Sequence, residues 1–293
     1  MTMTVRVDGR EVLCVPAFSI YEFGKDVSVD ELLGRGSEAE VFKGRPLRFL
    51  KGACTDEFVA VKVFKDNEYF DPDLFYQEVS ITHSVSHHKN IVKFYGLFDS
   101  GPFGIIMKLY WGDLVKLMEH EDVSSEVAKG LTDDILQAVN VLHKQQLVHF
   151  DMKSRNILID KSANNKYTAV LADFSLSFAL ASKQDVVLGF KQCERMGFTV
   201  QYAHPDLLKC GHLNKVPIDE WSENKIKALD MFAVGVVMWE LCERKRAWES
   251  FSDSQIIAFV TSGRRLPFFR CGVDIKDLII MCWDGTAFLF IDL

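Results

Sequence analysis

The sequence predicts an α+β fold in two lobes, a small β-rich one followed by a larger helical one. Three observations predict it. Residues 27–65, and again 89–109, are rich in strand formers, with glycines placed as turns. From Leu114 onward apolar residues recur at helical spacing, most plainly over 125–145 and 227–242. A chain of 293 residues is also long enough to bury a core in each lobe. This reading divides the chain into an N-terminal extension over 1–27, a β-rich lobe over 28–110 and a helical lobe over 111–293.

The elements follow in order. Residues 4–7 and 10–15 alternate around Asp8-Gly9, a hairpin signal. Residues 16–25 read as a linker. The 27–65 stretch opens a sheet, and Asp71-Pro72 then starts a helix that runs to Ser86. The chain returns to strand through Ile91-Val92 and Ile105-Ile106-Met107. No internal repeat or low-complexity segment interrupts this order.

Composition excludes several classes. The net charge is -7 with both signs mixed, so the basic stripe of a nucleic-acid binder is missing. Seven cysteines, odd in number and without a C-x-x-C pair, are the pattern of reduced cytoplasmic thiols rather than of a disulfide framework or zinc site. Residues 1–10 are polar, and the longest apolar stretch, 231–242, is interrupted by Glu240 and too short to span a bilayer. We therefore expect neither a leader nor a membrane-spanning helix. His83 and His87 stand four apart beside His88, but no third metal ligand accompanies them. Trp239, Trp248 and Trp283 read as packing residues.

Chemistry concentrates at four places. Leu33-Gly34-Arg35-Gly36-Ser37-Glu38-Ala39-Glu40-Val41 is a glycine-containing loop whose amides can approach phosphate oxygens. Alone, it is equally an ordinary turn. Val59-Ala60-Val61-Lys62 alternates as a strand and puts Lys62 on one face, where Glu78 on the next helix can supply its counter-charge; taken singly, they are an edge-strand lysine and a solvated carboxylate. His149-Phe150-Asp151-Met152-Lys153-Ser154-Arg155-Asn156 and Asp173-Phe174-Ser175 set two carboxylates, a lysine and an amide on neighbouring loops. That set suits a reaction in which positioning and charge neutralisation do most of the work.

In this order, Gly34, Gly36 and Val41, Lys62, Glu78, the His149-to-Asn156 loop, Asp173-Phe174-Ser175 and the run from Asp230 to Gly235 resemble the protein kinases over residues 28–284. The resemblance implies the bilobal kinase fold, with ATP and Mg2+ (or Mn2+) as cofactors. Asp151 would accept the proton of a substrate hydroxyl, Lys153 would neutralise the transferring phosphate, and Lys62, paired with Glu78, would hold ATP phosphates. Asn156 and Asp173 would hold metal. Leu33, Gly34, Gly36, Val41, Ala60, Lys62, Met107, Leu109 and Leu158 would form the nucleotide site, Met107 as gatekeeper and 108–110 as hinge; Val41 and Leu158 serve equally as core. Lys153 and Thr199-Val200-Gln201-Tyr202 are similar to serine/threonine kinases, which implies protein substrates phosphorylated on Ser or Thr in signal transduction. The 151–158 loop, the 171–178 and 228–241 stretches and Cys282-Trp283-Asp284 resemble receptor serine/threonine kinases of the transforming-growth-factor-β type, especially type II, within the tyrosine-kinase-like group. That likeness would imply a partner receptor kinase as substrate, and membrane association in a longer form.

The pattern also breaks. Ala39 replaces the third loop glycine, where its methyl would be a small obstruction, and Ser175 replaces the glycine of D-F-G. Phe150 replaces the arginine of H-R-D, which argues against control by activation-segment phosphorylation, although Ser175, Ser177, Ser182 and Thr199 lie there. His204-Pro205-Asp206 stands for A-P-E, and no arginine follows Cys282-Trp283 to pair with Asp206. Losing one partner of a buried ion pair costs about 3–5 kcal/mol, and the last helix of the fold is expected to be missing. Two functions follow from these residues: an active serine/threonine kinase, or a pseudokinase-like scaffold that binds partners without efficient catalysis.

Overall fold

The computed structural model describes residues 18–50, 57–66, 68 and 70–285 with side chains, except that of Asn214, and 3–7 and 10–15 as backbone. The chain forms two compact units, Met1–Tyr110 and Trp111–Leu293.

In the first unit β1 (Met3–Val7) and β2 (Arg10–Val15) pair antiparallel. Their Asp8-Gly9 turn lies outside the described residues. β3 (Val27–Arg35), β4 (Ala39–Pro46), β5 (Val59–Phe64), β6 (Phe94–Phe98) and β7 (Gly104–Lys108) form a sheet of order β3-β4-β5-β7-β6. Helix α1 (Pro72–Val85) starts where Asp71 accepts the Asp73 N–H at 3.0 Å with Pro72 at the first helical position. Directly opposed residues share a face. The pairings Val41 with Lys62 and Ala60 with Met107 therefore set these four on one side of the sheet. That side packs Ala39, Phe64, Leu97 and Ile105 against Phe75 and Val79 of α1. Val27, Val59, Val61, Ile106 and Tyr95 form the core on the other side.

Two local expectations change. Residues 18–26 are docked rather than a free linker: Tyr21 is buried, and its N–H donates to Leu97 O at 2.9 Å. Ile91 and Val92 are buried but lie outside the strands, because Ile91 N–H closes a turn onto His88 O at 3.1 Å.

The second unit contains β8 (Gly112–Asp113), α2 (Leu114–His120), α3 (Ser125–Lys144), β9 (Leu147–Val148), β10 (Ile157–Lys161), β11 (Tyr167–Leu171) and β12 (Phe178–Ala179). There follow α4 (Lys183–Met196), α5 (Pro205–Cys210), α6 (Glu223–Glu243), α7 (Asp253–Thr261) and α8 (Val273–Asp284). β10 lies between β11 and β8, and β12 pairs with β9. Helix α6 is buried on nearly all sides, as a helix apolar all round must be. α3 and α8 pack on it. Gly235 admits the Trp283 indole, since a Cβ there would lie 2.9 Å from the ring.

Helix α4 is an addition to the sequence-based reading. Its signal was present: Ser182 caps it by accepting the Asp185 N–H at 3.2 Å, and Val186, Phe190 and Cys193 repeat at helical spacing on its buried face. The α+β class is as expected, with a sheet-rich first unit and a helical second one. The expectation of a missing last helix concerns residues 286–293, which lie outside the described residues.

Candidate active site

In the first unit, the alternation of β5 brings Lys62 to the α1 side of the sheet, where its Nζ meets Glu78 Oε1 at 2.6 Å. The two side chains are only 11% and 5% exposed. An ion pair this dry makes removal of one partner cost about 3–5 kcal/mol. The loop between β3 and β4 turns through a Gly36 N–H to Ala39 O bond of 2.8 Å. Lys65, which sequence reasoning passed over, donates to Gly36 O at 2.7 Å and Ser37 O at 3.0 Å and fixes that turn. Ala39 belongs to the buried cluster with Phe64 and Phe75, so its methyl is core packing rather than an obstruction. Gly34 has open space where a Cβ would be, and Leu33 is exposed. Val41, Ala60 and Met107 share the Lys62 face, and Leu109 follows β7.

In the second unit, the loop after β9 is built around Asp151. Its carboxylate is paired with Lys153 Nζ, accepts Asn156 Nδ2 at 3.0 Å, and receives the Thr199 hydroxyl at 3.0 Å. Asp230 of α6 supports the loop from below. Fully buried, it accepts the backbone N–H groups of His149 at 2.9 Å and Phe150 at 2.8 Å and sits 3.0 Å from His143 Nε2. Burial by itself would raise the Asp230 carboxyl; the His143 hydrogen bond, the nearby histidines and the His149 N–H outweigh it and hold the group below the ordinary aspartate value. Phe150 adopts φ 66°, a left-handed backbone that this clasp imposes on a bulky residue.

The same loop is tied to the 173–175 motif. β10 pairs with β11 from Ile157–Leu171 onward, and Ala172 N–H donates to Asn156 O at 2.9 Å, so Asn156 and Asp173 emerge at one end of this ladder. His149 Nε2 is 3.1 Å from Ala172 O, and its ring packs edge-on against Phe174. Asp173, at φ 64°, is the left-handed residue of the motif; Ser175 is not, so the serine there carries no backbone strain. Asn156 commits its NH2 group to Asp151 O and Oδ2, which turns its acceptor oxygen to other use. An amide oxygen and a carboxylate are the hard donors magnesium takes, with water and phosphate completing its shell, so the residues fit that ion. Leu158, on β10, opposes Asp113 and Val170.

Where an arginine would stand, Phe150 enters an aromatic cluster. Its ring lies 5.6 Å from Phe178 and 5.4 Å from Phe190 of α4, which in turn meets Trp221. Gly189 is required beside it, because a Cβ there would run into the Phe178 ring. Gln192 of α4 donates to Ser175 O at 2.6 Å. Three of the segment's four hydroxyls are occupied structurally: Ser177 is buried and bonds His149 O, Ser182 caps α4, and Thr199 holds Asp151.

Asp206 has replacement partners that were not foreseen, Lys225 of α6 at 3.2 Å and Lys209 at 3.3 Å. Its side chain is 34% exposed, so the cost expected for a buried orphan does not apply. Burial opposes ionisation of Asp206, but the bonds to Lys225 and Lys209 prevail and lower its pKa. Glu240, buried on α6, gathers the Ser154 hydroxyl, Tyr202 Oη at 2.8 Å, Ala247 N–H at 2.7 Å and Arg246. It thereby joins the Asp151 loop to the Thr199–Tyr202 turn. Burial and then the Glu240 charge hold the Tyr202 phenol well above its ordinary pKa, so it donates. Phe150, Asp151, Thr199, Tyr202 and His204 line one recess with Phe198 and Leu207. The three neighbouring histidines have separate roles. His83 packs against Phe18 and Phe94, His87 Nδ1 faces Ser84 O, and His88 accepts the Asn90 N–H.

Among the described residues no helix is long and apolar enough to cross a membrane. The chain is 28% identical over 282 residues to kinase suppressor of Ras A of Caenorhabditis elegans, covering 91% of this chain and 34% of that protein. It is 27% identical over 270 residues to serine/threonine-protein kinase CTR1 of Arabidopsis thaliana (88% and 29%), and 26% over 288 residues to activated Cdc42 kinase Ack of Drosophila melanogaster (95% and 24%). The chain thus spans about a third or less of the curated relatives it matches. The protein kinase domain family matches residues 27–268, and with the kinase motifs in order inside that stretch, the chain belongs to this family.

Proposed function

We propose that this kinase domain transfers the γ-phosphoryl group of ATP to serine or threonine hydroxyls of a protein, with Mg2+ or Mn2+. The observation that carries the reading is the convergence of Lys153, Asn156 and Thr199 on the Asp151 carboxylate. Asp151 orients the acceptor hydroxyl and takes its proton as the oxygen bonds to the γ-phosphorus and the bond to the β-phosphate oxygen breaks. Lys153 offsets charge on the transferring group. Lys62, aimed by Glu78, holds α- and β-phosphate oxygens, while Asn156 and Asp173 hold the metal, which neutralises phosphate charge when bound. Thr199 beside Asp151, and a serine/threonine kinase among the relatives, support aliphatic acceptors.

The receptor-type affinity, and a partner receptor kinase as substrate, rest on the 151–158, 171–178, 228–241 and 282–284 stretches. The scaffold reading rests on Phe150 and Ser175, since Asp206 has found other partners. The test is transfer from labelled ATP with magnesium to a peptide library containing Ser, Thr and Tyr, followed by phosphoamino-acid analysis. Phosphoserine or phosphothreonine is expected, lost at least about 100-fold in Asp151→Asn and Lys62→Met. A folded chain that transfers nothing at stoichiometric enzyme overturns the enzyme in favour of the scaffold, and phosphotyrosine alone overturns the acceptor class.

A further inference from the structure

Residues 18–26 precede the 27–268 stretch that the family matches, yet they are built into the first unit. β6 is the sheet's last strand. Along it Leu97 N–H donates to Ser19 O at 3.1 Å, Tyr21 N–H donates to Leu97 O at 2.9 Å, and Ile20 forms a parallel bridge to Leu97. The segment therefore closes an edge that would otherwise present unpaired backbone. β6 makes room for it: Gly96 sits at a register shift, and a Cβ there would collide with Ser19 O and the Tyr21 ring. Its far end is anchored where buried Asp26 accepts the Glu22 N–H at 2.7 Å.

The near end of this segment reaches the helix that carries Glu78. Phe18 packs edge-on against His83 of α1, with ring centroids 5.1 Å apart, and against Phe94 at 5.9 Å. It caps the apolar cluster that includes Val79, the residue after Glu78. A helix attached to the sheet through one apolar face can slide or tilt along it. An aromatic wedge at the His83 end restricts that movement.

We propose that residues 18–26 form a strap that positions α1, and through it Glu78, against Lys62, with Phe18 and Gly96 as its positioning residues. The strap rests on the proposed ATP-binding role of the Lys62–Glu78 pair. Withdrawing Phe18, whose ring meets His83 and Phe94, frees the His83 end of α1, lowers the fraction of time in which Lys62 is held, and weakens nucleotide binding.

The test uses the whole chain with Phe18→Ala, Phe18→Leu and Gly96→Ala, measuring ATP·Mg affinity well below the melting temperature of each variant. Phe18→Ala and Gly96→Ala, which loosen the strap from opposite sides, are each expected to weaken ATP·Mg at least about fivefold, as for a coupled site. Phe18→Leu restores most of the affinity. In a Glu78→Gln background Phe18→Ala has no further effect, because the residue it acts through is gone. Lower stability with unchanged ATP affinity overturns the strap, as does a full effect that persists beside Glu78→Gln. If the unaltered chain binds no ATP·Mg, the nucleotide reading fails, and hydrogen exchange decides the strap alone. Phe18→Ala must then speed exchange of α1 amides from Glu78 to Val85 about tenfold relative to β4 and β5. Equal rates overturn it.

Discussion

Replacing His204 by alanine, the residue that A-P-E carries there, should make the second unit less stable at neutral pH and less sensitive to acid. His204 Nδ1 accepts the Asp206 N–H at 3.1 Å as the cap of α5, and its ring meets Phe232 edge-on. Losing the cap costs about 1 kcal/mol. Burial pushes the His204 imidazole down from 6.5 to about 4; Asp206 opposes this, and the positive charges of Lys225, Arg265 and Lys209 add to it. Because the folded value lies below the unfolded one, the unfolded chain takes up the proton first as pH falls. The stabilisation is complete above 6.5 and is lost toward 4. Between pH 7 and 4.5 that linkage removes about 2 kcal/mol from the unaltered chain and nothing through this position from His204→Ala. The neutral-pH deficit of the variant should therefore vanish or reverse near pH 5. All five tryptophans lie in the second unit, so urea unfolding followed by their fluorescence reads it directly. Parallel stability curves for the two proteins across pH 4.5–7.5 would refute the assignment of a buried neutral imidazole.

Phe190→Ala should cost about 3–5 kcal/mol locally by opening the Phe150–Phe178 cluster, and should be read as faster proteolysis within residues 183–196 than elsewhere; uniform proteolysis would contradict a docked α4. Asp230→Asn should remove an acid-sensitive contribution that is present above 3.8 and lost as pH falls through the lower folded value, measured as a flatter low-pH unfolding curve. Lys225→Met should cost less than about 1 kcal/mol, because Asp206 is partly exposed and keeps Lys209. A loss of several kcal/mol in urea unfolding would mean that Lys225 carries a buried pair.

The order of motifs was legible because each is a short run whose chemistry depends on local spacing. Asp151, Lys153 and Asn156 lie within one loop, and the alternation of β5 was enough to put Lys62 on one face of its strand, while the packing of α1 on that face came from the fold. Helix α4 was legible in principle, through the Ser182 cap and the Val186–Phe190–Cys193 spacing, but was hidden inside a segment read for its hydroxyls. The partners of Asp206 were not. Lys225 is 19 positions along the chain from Asp206 and becomes its neighbour only because α5 and the start of α6 fold together.

The same distinction holds at Phe150. Sequence alone determined that no cation stands before Asp151, since that is a statement about one side chain. Only the tertiary structure decided what replaces it, a ring closed under Phe178 and Phe190 from elements 28 and 40 positions away. Residue identity sets which charges and apolar surfaces a chain owns, along with the periodicities that form its helices and strands. Which of them meet depends on the packing of distant elements, where burial makes an unpaired carboxylate or an exposed aromatic ring costly enough to find a partner.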